Sequence, residues 1–141
     1  MAYFEATGKS AFLDVMRRYA DHIASTFGPE PGQRRGYCGH EEIELALIRL
    51  YRATGEVRYL RLSEYFINER GQPPNYFELE AQARGDTGAR FPLEYYQAHK
   101  PVREQTDALG HAVRLMYLCP AMTDLAGELG DASLWEACQL C

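Results

Sequence analysis

Three times in this chain a helix is broken at a glycine and a second helix resumes at once. The breaks are Ala6-Thr7-Gly8-Lys9, Ala53-Thr54-Gly55-Glu56 and Glu128-Leu129-Gly130-Asp131. At each, a glycine free to adopt the left-handed backbone ends one helix and a polar residue starts the next. A leucine about one turn on then packs back. The helices before the second and third breaks both open on Gly-His, at Gly39-His40 and Gly110-His111. The unit is therefore loop, Gly-His, helix, glycine turn, helix. Hairpins of this kind build either an α-solenoid or a closed α/α toroid. The steps from Gly8 to Gly55 and from Gly55 to Gly130 are 47 and 75 residues. That is too uneven for a tetratricopeptide array, whose period is about 34. Long, unequal connections favour the toroid, in which inner helices alternate with outer ones and the loops at one end form a mouth. The expected fold is all-α, with antiparallel helical hairpins forming an arc of an α/α toroid.

Apolar spacing places the helices. The tail of a first helix is closed by Gly8. Phe12, Leu13, Met16, Tyr19, Ala20 and Ile23 form one stripe, predicting a helix from Lys9 to about Thr26. A helix from His40 to about Thr54 carries Ile43, Leu47, Leu50 and Tyr51 on one face, which Ala46 and Ile48 widen. Glu56 to about Arg70 follows, and Gly71 with Pro73-Pro74 ends it. The Gly110-His111 helix reaches about Leu129 and holds Pro120, which should kink it or remove one backbone bond. Asp131 caps a last helix. Residues 71–103 hold six Pro or Gly breakers between Pro73 and Pro101 and read as one long irregular loop, with room for a short helix near Pro92–His99. Its Tyr76, Phe77, Phe91, Tyr95, Tyr96 and His99 mark it as an ordered loop that folds over something, because a disordered segment is poor in aromatics. Residues 1–141 are read as one all-α segment.

Charge and hydropathy exclude several classes. The net charge is −5, the pI is about 5.4, and no basic run exceeds two arginines. A nucleic-acid partner is not expected. No apolar stretch approaches the roughly 18 residues of a membrane span, and the first residues lack the basic and apolar regions of a signal peptide. A cytoplasmic protein is the expectation. The four cysteines, Cys38, Cys119, Cys138 and Cys141, sit in no small-scaffold framework. Cys138-Gln-Leu-Cys141 is formally a C-x-x-C, but no second pair and no preceding strand support a zinc or redox role.

Glu41, Glu42 and Glu44 suit the positive end of a helix and read as a solvated, dipole-matched face. A zincin helix needs a second histidine four residues after His40, where Glu44 stands, so no metal is assigned. Arg103 and Arg114 read as helix-surface partners of Glu104 or Asp107. Tyr95 and Tyr96 read as packing residues. His40 and His111 can donate and accept hydrogen bonds at neutral pH, which suits sugar hydroxyls as well as helix ends.

Four motifs in order resemble glycoside hydrolase family 127. They are Tyr37-Cys-Gly39-His40-Glu-Glu-Ile-Glu44-Leu-Ala-Leu, Tyr65-Phe66-Ile67-Asn-Glu-Arg70-Gly71, Tyr96-Gln97-Ala-His99-Lys-Pro101-Val-Arg103-Glu104-Gln105, and Gly110-His111-Ala-Val-Arg114-x-Met-Tyr. The resemblance covers essentially the whole chain. It implies an (α/α)6 catalytic barrel, β-L-arabinofuranosidase activity and retention of configuration. It also implies a zinc-bound cysteine nucleophile with a glutamate acid/base. None of the four cysteines matches the nucleophile motif. The resemblance therefore casts the chain as a fragment without nucleophile or zinc ligands, with no catalytic residue of its own. It would supply sugar-binding residues, His40 and His111 first, then Gln97 and His99. An arc cut from a barrel should expose apolar flanks and self-associate. The alternative reading is a non-catalytic helical-repeat module that binds a partner.

Overall fold

The computed structural model describes residues 1–86, 88 and 92–140; Phe91 of the aromatic loop and Cys141 of the C-x-x-C pair lie outside them. Among the described residues the α-helices are α1 (Ala2–Thr7), α2 (Ala11–Thr26), α3 (Ile43–Thr54), α4 (Val57–Glu69), α5 (Tyr76–Ala83), α6 (Ala112–Leu129) and α7 (Ala132–Leu140). Two 3₁₀ turns, Leu93–Tyr96 and Val102–Glu104, lie between α5 and α6. Among the described residues there is no strand, only an isolated bridge between Phe27 and Arg34. Helix α3 packs on α4 and α6 on α7, and α3 also lies against α6. These hairpins form an arc of an α/α toroid.

Gly8, Gly55 and Gly130 each follow a helix with φ of +69°, +72° and +66°. Their N–H groups return to the carbonyls of Phe4, Tyr51 and Ala126, the closing bond of a left-handed cap. The repeated break is thus one structural device used three times.

Helices α3 and α4 are buried on two sides. Ile48, Leu60 and Ile67 join Leu118, Met122, Leu125 and Leu134 in a core shared with α6 and α7. Leu47, Leu50, Tyr59, Leu62 and Phe66 join Leu13, Ala20 and Tyr37 in a second core under α2. Each buried leucine or isoleucine contributes about 1.5–3 kcal/mol, so the central hairpin is clamped from both faces.

Three elements differ from the pattern read in the sequence. Helix α3 begins at Ile43, because Gly39 to Glu42 form a turn. On α2 only Leu13 and Ala20 are buried, while Phe12 and Tyr19 are exposed. The apolar stripe is wider than the surface that covers it. Residues 71–103 are not uniformly irregular. Asn75 caps α5, its Oδ1 accepting from Phe77 N at 3.0 Å, and its Nδ2 donates to Ala98 O at 2.7 Å. One side chain thus starts the helix and ties it to the loop beyond.

Candidate functional site

His111 is the residue before α6, with extended backbone and no side-chain capping bond. Gly110 ahead of it has φ +85°. A Cβ there would overlap Glu94 O and stand 2.7 Å from Gln97 Nε2. Only glycine lets this segment press onto the turn Leu93–Tyr96. The result is a tight cluster. The His111 ring stands edge-on to Tyr95 with centroids 5.1 Å apart. Gln97, fully buried and itself left-handed at φ 49°, donates from Nε2 to Leu109 O (2.8 Å) and His111 O (3.4 Å). Gln105 Nε2 in turn donates to Gln97 O at 2.8 Å. Arg114, one turn along α6, lies over the rings of Tyr95 and Tyr96 at 4.9 and 4.8 Å, a cation–π arrangement in place of the helix-surface ion pair read from the sequence.

His40 sits in the turn before α3, its side chain 40% exposed, with Nδ1 3.6 Å from the Glu42 carboxylate. Its ring is edge-on to Tyr117 at 5.8 Å. His111, Arg114 and Tyr117 follow one another at i, i+3 spacing, so the start and second turn of α6 meet both histidine segments.

Behind them lies a buried charge cluster. Glu41 and Glu44 are not a solvated face: both are fully buried, as is Arg70 at the end of α4, and only Glu42 is exposed. The helix dipole accounts for their position in the chain, but Arg70 accounts for their burial. Arg70 pairs with Glu41 at 2.8 Å and Glu44 at 3.3 Å. The Glu41 contact is an ion pair without hydrogen-bond alignment, since both Glu41 oxygens lack a hydrogen-bond donor. Arg70 also donates to Cys38 O and Tyr96 O, each at 3.0 Å, and lies 4.8 Å from the centre of the Tyr37 ring. Burial raises the Glu41 carboxyl pKa, and the Arg70 charge offsets part of that. Burial, then the Glu44 charge, push the Cys38 thiol up to about 12, so it is held as a thiol donating to His40 O at 2.8 Å.

The structure joins Gln97 directly to His111 and seats His40 against α6. No hydrogen bond or ring contact links His99 to the other three among the described residues. Three of the four candidates carry a buried polar atom without a hydrogen-bond partner: Gln97 Oε1, His99 Nδ1 and His111 Nδ1. A cleft of about 990 Å³ opens alongside, lined in part by Tyr37, Cys38, Gly39, Tyr76, Phe77 and Tyr96. It borders the site through Cys38, Gly39 and Tyr96 but does not contain the four candidates. Arg70 and Tyr117 were missed in the sequence. The sequence signals for Arg70 were its place in the motif Tyr65-Phe66-Ile67-Asn-Glu-Arg70-Gly71 and its position at a helix end directly before a glycine. Arg103, read as a partner of Glu104 or Asp107, instead bridges to Asp131 at 2.8 Å.

Among the described residues no group of three His, Cys, Asp or Glu is placed to hold a metal ion. These residues do not fit a zinc site, and no step through zinc is assigned to them.

A helical arc with two Gly-His segments converging on one helix is a segment of an α/α toroid. Residues 1–140 match the family model for the β-L-arabinofuranosidase GH127 catalytic domain, and the chain belongs to glycoside hydrolase family 127. It is 44% identical over 140 residues to a non-reducing end β-L-arabinofuranosidase of Bifidobacterium longum subsp. longum, covering 95% of this chain and 21% of that protein. A crystal structure of a GH127 β-L-arabinofuranosidase from Geobacillus stearothermophilus T6 superposes with a TM-score of 0.97 at 55% identity, over 99% of this chain and 22% of that one. A GH127 β-arabinofuranosidase structure superposes with a TM-score of 0.82 at 38% identity, over 99% and 19%. The chain thus spans about a fifth of the length of these relatives.

Proposed function

We propose that this chain forms part of the sugar-binding mouth of a retaining arabinofuranoside hydrolase. It supplies substrate contacts, and nucleophile and zinc chemistry lie outside its residues. His40 and His111 are the principal sugar ligands, with Gln97 and His99 beside them. The observation that carries this reading is the convergence of the two histidine segments on α6, with His111 directly ahead of it and the partly exposed His40 ring against Tyr117 on its second turn. His40 is partly exposed and can turn a ring nitrogen outward. Cys38 is set aside as a nucleophile because its thiol is protonated at neutral pH.

Histidine Cε1–H NMR of the chain, titrated with methyl β-L-arabinofuranoside, tests this. The signals of His40 and His111 should move together and saturate with one Kd, while exposed His22 stays put. If neither moves at tens of millimolar sugar, the reading is wrong.

The alternative, a helical module that binds a partner, draws on the outer face of α6, where Val113 is 50% and Met116 64% exposed. In the sugar-binding reading the same apolar flank drives self-association. Light scattering together with the sugar titration separates the two: a dimer that binds sugar supports the first, a monomer that ignores it the second. No helix among the described residues is long and apolar enough to cross a membrane.

A further inference from the structure

Arg70 is fully buried and touches both segments that carry the candidate histidines. On one side it donates to Cys38 O at 3.0 Å, and the Cys38 thiol donates to His40 O at 2.8 Å. Its ion pairs to Glu41 and Glu44 hold the two residues that flank the start of α3, directly after His40. On the other side it donates to Tyr96 O at 3.0 Å. The next residue, Gln97, holds Leu109 O and His111 O, and Tyr95 O accepts from His111 N at 3.4 Å. Only the guanidinium fork, with donors fixed in one plane, can serve two carbonyls and two carboxylates in this way. A lysine presents a single point charge.

We propose that Arg70 is a positioning residue that fixes the His40 and His111 imidazoles relative to each other, acting through Cys38 and the Glu41–Glu44 turn on one side and through Tyr96–Gln97 on the other. It does not touch the sugar. It sets the spacing at which one sugar ring meets both histidines, and in that respect the inference rests on the sugar-binding reading above.

The test separates the two ideas. In sugar-free protein, Arg70→Lys should move the Cε1–H signals of both His40 and His111 and leave His22, on α2, unchanged. Far-UV circular dichroism should show the helices intact. With methyl β-L-arabinofuranoside, R70K should bind at least about tenfold more weakly, since a tenfold loss matches one displaced hydrogen bond, and the two histidines should no longer saturate together. Unmoved histidine signals in folded R70K would overturn the positioning role whether or not the sugar binds. Failure of the sugar to move either histidine in wild type overturns the functional reading, and the sugar-free comparison still decides Arg70. Where R70K does not fold, the wild-type chain decides it: the Nη protons of Arg70 should give separate, slowly exchanging NMR signals. A single averaged signal rejects the clamp.

Discussion

Arg103 Nη2 stands 2.8 Å from Asp131 Oδ2 and joins the loop ahead of α6 to the turn between α6 and α7. Asp131 Oδ1 also accepts from Leu134 N at 3.1 Å, so one carboxylate both caps α7 and anchors Arg103. Arg103 reaches further, to Asn68 Oδ1 at 3.0 Å. The Arg103 hydrogen bond, opposed by some desolvation, lowers the Asp131 pKa from 3.8 to about 2. A depressed carboxylate stabilises the fold above its unfolded pKa and loses that contribution as pH falls through its folded pKa. Stability should therefore drop between pH 3.8 and about 2. The pair is partly exposed, so solvent screening limits the effect to about 1 kcal/mol. Urea unfolding of Asp131→Asn beside wild type over that window checks it: equal pH slopes would remove Asp131 from the acid response.

Gly110 and Gly8 share a left-handed backbone but not their surroundings. Gly8 has open space around it, whereas a methyl at Gly110 runs into Glu94 O. Gly8→Ala should lower stability by about 1 kcal/mol, the left-handed penalty alone. Gly110→Ala should lower it by about 3 kcal/mol or more, adding a backbone shift of the size of other local strains, and should displace the His111 NMR signal. Thermal melts of the two variants give the comparison, and equal losses would contradict the close approach.

The glycine breaks were legible in the sequence because they act locally: a left-handed cap depends on one residue's missing Cβ. The helices were legible where the apolar period is 3.6 residues, and the resemblance made His40 and His111 conspicuous. Helix α5 was not, because Tyr76–Ala83 is a short element whose start is set by the Asn75 side chain and whose place is set by Ala98, 23 residues on. Glu41 and Glu44 looked solvated because sequence periodicity reports only their own helix. Their burial comes from Arg70, on a different helix, and the same holds for Arg103 with Asp131 and for Arg114 with Tyr95 and Tyr96.

Cys38 should be the slow thiol of this chain. Its pKa of about 12 follows from burial and the neighbouring Glu44, and a thiol reacts through its thiolate. At pH 8 alkylation by iodoacetamide, followed by peptide mass spectrometry, should leave Cys38 unmodified until the chain is unfolded in urea. Cys38 labelled at the rate of a free thiol in the native state would mean the cluster is open to solvent.

Glu41 and Arg70 are unequal partners in their ion pair. Arg70 stays charged because Glu44 and Glu41 outweigh the burial that would lower its pKa. The Glu41 pKa is raised, because burial outweighs what Arg70 gives back. A carboxyl with a raised folded pKa contributes fully below its unfolded pKa and loses that contribution as pH rises through the folded value. Gln is neutral at every pH, so Glu41→Gln should gain on wild type as pH climbs from 4.5. Arg70→Met instead strands two buried carboxylates, and removing one partner of a buried pair costs about 3–5 kcal/mol. Urea unfolding of both variants at neutral pH distinguishes them. Equal losses would show that Glu41 holds the cluster as firmly as Arg70, and the assignment of Arg70 as its centre would fall.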